Sequence, residues 1–245
     1  MIESTLIILF LAAIPIGIFG IVVGGNASLS FPLFQVLFPE MTLGAIVGNT
    51  KPGSLIRNIT SIIPLRREID YKMVKLLLLP LVLGSTVGAF FVAHMSQAII
   101  LPMLVIGFLV VEYAHIVAKY ITDKIFFLAT CVTGMYGGIF GAGISLLIVA
   151  LMRIKGADDT DLYRTRANAL FLEIFFTTTA VVVFLSKGLV LPQIALVWIT
   201  GSIIGGYLGG IILKRTGKLS GQMQRNILRS AFIFAICVAL VKIFG

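Results

Sequence analysis

Ten apolar runs joined by short polar segments leave this chain little choice of environment. They occupy about 4–23, 27–38, 41–65, 73–93, 97–118, 125–140, 143–154, 167–186, 189–213 and 227–244. A helix rises about 1.5 Å per residue, so runs near 20 residues match a hydrocarbon core about 30 Å thick. Only 12% of the residues are charged, against 59% hydrophobic, whereas soluble domains carry about 25% charge. The pattern predicts an all-α polytopic membrane protein, with the lipid bilayer as its solvent and no room for a soluble catalytic domain. The start, MIESTLIILFLAAIPIGIFG, carries Glu3 where a signal peptide would be basic, and it reads as a retained first segment.

Two runs, 27–38 and 143–154, are too short to span, and each follows a glycine cluster. The surrounding sequence is duplicated. GIFGIVVGGNASL, from Gly17, aligns without gaps to GMYGGIFGAGISL, from Gly134; Gly17, Gly20, Gly24, Ser28 and Leu29 find identical partners 117 positions on. GSTVGA from Gly84 meets GSIIGG from Gly201 at the same offset, and Asn49 falls opposite Asn168 once two residues are inserted. The chain thus divides into a first membrane repeat, 1–120, and a second, 121–245.

Charge decides how the halves relate, because cytoplasmic loops collect Lys and Arg. If 4–38 and 125–154 are helical hairpins bent at their glycines, Lys187 and Lys242 fall on one side. Apart from Lys51 and Arg57, every other basic residue, from Arg66 to Arg229 and including Lys218 and Arg225, falls on the opposite side. Each half is then a glycine-tipped helical hairpin plus three transmembrane helices. That odd number of reversals makes them two inverted repeats, with both termini extracytoplasmic. The net charge of +9 reports this topology rather than a nucleic-acid partner.

Non-helical backbone at membrane depth is tolerated where it lines a cavity. The bends at Gly24, Gly25 and Asn26 and at Gly141 and Gly143 are therefore expected to approach each other near the midplane. Helix N-termini start there, and Ser28 and Ser145 could add hydroxyl donors for an anion. The glycines of the GSxxG blocks, Gly84, Gly88, Gly201 and Gly205, read instead as close-packing positions. GNTKPGSLIRN, from Gly48, places Asn49, Thr50, Lys51 and Arg57 inside an apolar run, with the helix expected to break at Pro52 and Gly53. Cations at that depth mark a pathway, a partner or a ligand. Lys51 and Arg57 are accordingly candidate substrate contacts, with Asn168 as the counterpart of Asn49. Glu173 and Glu112 are either partners for these cations or the groups that couple transport to protons. His94 and His115 lack metal-ligand spacing. Trp198, Tyr113 and Tyr207 read as packing or interface aromatics. No metal, cofactor, nucleotide-binding loop or enzyme motif is expected.

The two glycine-rich segments, each followed by a polar helix at GNTKPGS and RTRANALF and then by a GSxxG block, resemble the TauE/SafE family of sulfite and organosulfonate exporters. The resemblance covers essentially the whole chain. It implies a secondary transporter of sulfur-containing anions in the cell membrane. The family's glycine-rich motifs fall on Gly24 to Ser28 and Gly141 to Ser145, and its polar positions on Asn49, Thr50 and Asn168. Lys51 and Pro52 stand where many relatives have small or apolar residues, a departure that points to a distinct substrate. The expected partner is a small anion, and a homo-oligomer is compatible with the sequence. A channel-like pore and a partner subunit without flux are the alternatives.

Overall fold

The computed structural model describes residues 2–157, 162–216 and 221–244. Lys218 and Gly245 lie outside them, as do the side chains of His115, Arg225 and Lys242. The described elements are helical: α1 (Ile2–Val22), α2 (Ala27–Leu37), α3 (Leu43–Leu65), α4 (Tyr71–Val92), α5 (Ile100–Lys119), α6 (Asp123–Ile139), α7 (Ile144–Ile154), α8 (Leu162–Ser186), α9 (Pro192–Thr216) and α10 (Gly221–Phe244). Each apolar run has become one helix. The larger departures are α8 and α10, which begin in polar sequence ahead of their runs, because hydropathy sees only the part of a helix that meets lipid or core.

Four of the described helices, α1, α4, α8 and α9, are long and apolar enough to cross a membrane by length and composition. The helices α2 and α7, with 11 residues each, reach only about half the hydrocarbon thickness. Large apolar side chains such as Leu11, Leu79, Phe91, Leu128, Val182 and Phe234 point outward and are exposed, the inverse of a water-soluble surface.

The expected break in α3 does not occur. The helix is continuous from Leu43 to Leu65 with Pro52 inside it. A proline removes one backbone bond and crowds the preceding turn, at a cost of about 3 kcal/mol. Packing before and after Pro52 holds the helix together through it: Gly48 lies against the backbone of Leu189, and Gly53 against Trp198 and Ser202. Trp198 is itself buried, so it is a packing residue and not an interface aromatic.

Helix partners are exchanged between the halves. The first helix of each half lies along the fourth helix of the other, α1 on α9 and α6 on α4. The short helices follow the same rule, α2 on α10 and α7 on α5, while α3 meets α8 and α5 meets α10. Close approach at glycine makes the long pairings: a Cβ at Gly201 would stand 2.6 Å from the Phe10 carbonyl oxygen, and one at Gly84 would overlap the carbonyl of Cys131. These are the small-residue contacts by which helices associate in lipid. The rings of α2 are captured by the other half, Phe31 edge-on to Phe140 and Phe34 edge-on to Trp198. At the polar end of the second half, the Lys155 ammonium, 2.5 Å from the Asp123 carboxylate, ties the end of α7 to the start of α6. That contact holds the Asp123 carboxyl below its usual range.

Candidate functional site

Four glycines at the two bends adopt left-handed backbone: Gly24 (φ +92), Gly25 (φ +83), Gly141 (φ +76) and Gly143 (φ +73). An L side chain at such a position costs roughly 1–2 kcal/mol. The bends meet, since the Gly143 nitrogen is 3.2 Å from where a Cβ on Gly25 would sit. Between them and α3 and α8 lies a cavity of about 20 Å³, room for roughly one water. Its lining includes Asn26, Ser30, Thr50, Lys51, Ser54, Arg57, Asn58, Gly137, Gly141, Glu173 and Thr177.

The charged groups are almost wholly buried. The Lys51 ammonium, on a residue 7% exposed, donates to the carbonyl of Gly137 at 2.5 Å. The Arg57 guanidinium donates through Nε and Nη2 to Asn58 Oδ1, at 3.1 and 2.9 Å, and its Nη2 stands 3.8 Å from Glu173 Oε2. Asn58 passes the interaction on, donating from Nδ2 to Glu173 Oε2 at 3.1 Å. The Ser145 hydroxyl donates to the other carboxylate oxygen of Glu173. Arg57 is therefore paired inside the protein and does not reach for the interface. Lys51, whose ammonium has three donors, is held by a carbonyl rather than a carboxylate.

A third buried cation escaped the sequence reading. Arg166, 3% exposed, donates from Nη2 to Gly20 O at 2.8 Å and from Nε to Ile21 O at 3.1 Å. These are the last carbonyls of α1, where the helix dipole favours a cation. In sequence Arg166 was one more basic residue among those read as facing the cytoplasm. Ser30, Ser54, Asn58 and Thr177 were also passed over. For α3 a signal existed, because Thr50, Ser54, Arg57 and Asn58 recur at helical spacing and form a polar stripe on one face.

Of the predicted site residues, Asn26, Thr50, Lys51, Arg57, Gly141 and Glu173 line the cavity. Gly24, Gly25 and Gly143 shape the bends behind it. Ser28 is occupied, its hydroxyl donating to Gly25 O at 2.7 Å, and Ser145 is engaged by Glu173. The two asparagines do a different task. Asn49 Oδ1 accepts from the N–H of Leu191, the residue before α9, at 2.8 Å. Asn168 Oδ1 accepts from the N–H of Asp70, the residue before α4, at 2.7 Å. Each fixes a loop of the opposite half, and Asn168 lines a separate hollow of about 280 Å³ beside Asp70 and Arg164. Glu112 is bound by the Arg229 guanidinium between α5 and α10 and does not line the cavity.

A family model described as sulfite exporter TauE/SafE matches residues 9–243, nearly the entire chain. The chain belongs to the TauE/SafE family. It is thus an integral membrane protein of a family of exporters, and the apolar outer surface and spanning helices agree with that membership. No curated protein and no solved structure matches the chain. The match of the TauE/SafE model takes in both glycine bends and α3, which carries Lys51.

Proposed function

We propose that this TauE/SafE member is a secondary transporter of a small anion of the sulfite or organosulfonate type, held in the cavity between the glycine bends. The observation that carries this reading is the position of Lys51. Its ammonium is buried where the bends meet and is answered by a carbonyl dipole. Lys51, Arg57 and Arg166 are all buried around Glu173, so the described cluster has an excess of positive charge. Such charge is costly at membrane depth and is relieved when an anion enters. A cavity of about 20 Å³ does not admit a sulfonate, so binding separates the bends, and transport is the alternation of that opening.

The exchanged partners of α1 and α6, and of α2 and α7, support the reading of 1–120 and 121–245 as repeats, inverted by the charge rule with both termini outside. Glu173 is the coupling group in this scheme. When protonated it releases Arg57 and Ser145 to a substrate; when ionised it takes them back. Glu112, already paired with Arg229, is not assigned that part. A second copy of the chain could associate through lipid-facing helices without altering the site.

Binding by purified protein tests the reading, with thermal stability measured against sulfite, sulfoacetate, taurine, sulfate, thiosulfate and simple carboxylates. Selective stabilisation, absent in Lys51→Ala, is the expected result. No shift with any anion would sink the proposal, and unsaturable conductance would replace it with a pore.

A further inference from the structure

Lys51 has a counterpart across the repeat that the alignment of residues conceals. Its ammonium binds the carbonyl of Gly137 near the end of α6 and lies 3.4 Å from the position a Cβ on Gly141 would take. The same two places in the first half are Gly20 and Gly24, 117 positions earlier. There Arg166 binds the Gly20 carbonyl, and its Nη1 and Nη2 are 3.1 Å from where a Cβ on Gly24 would be. Each half therefore lends a cation to the glycine bend of the other: Lys51 from α3 to the second bend, Arg166 from α8 to the first. The residue aligned with Lys51 is Leu170, one helical turn beyond Arg166, which is why comparing sequences position by position does not reveal the pair.

The two differ in one respect. Lys51 lines the cavity, whereas Arg166 is shut against its bend and its Nη1, though fully enclosed, finds no hydrogen-bond partner among the described residues. A buried guanidinium nitrogen left unanswered is expensive, and a chain that keeps one gains from a state in which it is answered.

Building on the anion-transport reading, we propose that Arg166 is a second substrate-binding residue, the one that holds the anion in the conformation opposite to this one. When the first bend moves away from α8, the free Nη1 faces the space beside Gly24, and a planar or pyramidal oxyanion can accept hydrogen bonds from it and from the Gly25 amide, the Gly24 N–H being held by Phe19 O. Lys51 then serves the opening at one membrane face and Arg166 the opening at the other. The solute passes between two cation-and-bend half-sites rather than resting in a single pocket throughout.

Radiolabelled sulfite flux into proteoliposomes holding the full chain tests this. Wild type, Lys51→Gln, Arg166→Gln and Arg166→Lys are each scored for flux and for thermal stabilisation by sulfite. Arg166→Gln is expected to keep stabilisation by sulfite and lose flux by about tenfold or more, the worth of one charge-assisted hydrogen bond. Lys51→Gln is expected to lose both. Arg166→Lys keeps a cation on the Gly20 carbonyl, so it serves if the glutamine variant fails to accumulate. Its sulfite KM measured from one face is expected to shift several-fold relative to the KM from the other face. A purely structural cap on α1 would lower thermal stability and leave that ratio alone, so an unchanged ratio, or wild-type flux in Arg166→Gln, overturns the inference. If wild type itself neither binds nor moves sulfite, the broader transport reading falls for sulfite and this one falls with it; the failure is then seen in wild type and not in the variants.

Discussion

At the scale of single residues, Arg57 and Glu173 are coupled through Asn58 in a buried setting. Removing one partner of a buried pair strands the other, at a cost of about 3–5 kcal/mol. Glu173→Ala is therefore expected to lower the stability of the detergent-purified protein strongly. Arg57→Ala combined with it should recover part of the loss, measured as a non-additive thermal unfolding cycle. Lys51→Ala is expected to reach the membrane and fold, because the group it leaves behind is a single carbonyl, and to lose transport by at least about tenfold. Flux of every tested sulfonate at the wild-type rate in that variant would remove Lys51 from the site. The cations inside α3 were legible in sequence, since charge in an apolar run has few innocent explanations. The fate of the serines was not. Ser28 and Ser145 are equivalent in the repeat, yet one turns back to its own bend and the other reaches Glu173 on α8.

Among the helices, glycine does two separate tasks. In α4, α6, α1 and α9 it lets backbones touch, and a side chain there must push two helices apart. Gly84→Leu is expected to destabilise the protein by about 1–3 kcal/mol or block its accumulation, with Gly201→Leu behaving alike because it occupies the equivalent contact against α1. An unaffected Gly84→Leu protein would mean that α4 and α6 do not approach as described. At the bends, glycine supplies left-handed backbone, so Gly25→Ala combines strain with the nearness of Gly143 and Leu228. That variant should lose both stability and transport, whereas substitutions on the lipid face of the same helices should lose neither. Both tasks were readable from the spacing of the glycines. The continuity of α3 was not, because a proline argues locally for a break and only the packing of Leu189 and Trp198 overrules it.

On the scale of the whole molecule, the basic residues between helices are expected to set orientation. Cysteines introduced beside Arg67 and Arg215 are expected to react only with reagents delivered to the cytoplasmic side, and cysteines at either terminus only from outside. A cytoplasmic C-terminus would remove the inverted relation of the halves. The sequence by itself determined what depends on composition and period: ten apolar helices, two of them half-length, a duplicated order, and two cations set inside an apolar run. Those follow from free energies of transfer and from backbone geometry, which act residue by residue. Tertiary structure alone decided which helix of one half lies on which helix of the other. It alone put Asn49 and Asn168 on loops, Arg57 on Glu173, and Arg166 on the first bend as the counterpart of Lys51. Such pairings depend on where surfaces meet in three dimensions, and a one-turn displacement along α8 is enough to hide them from any reading of the chain in order.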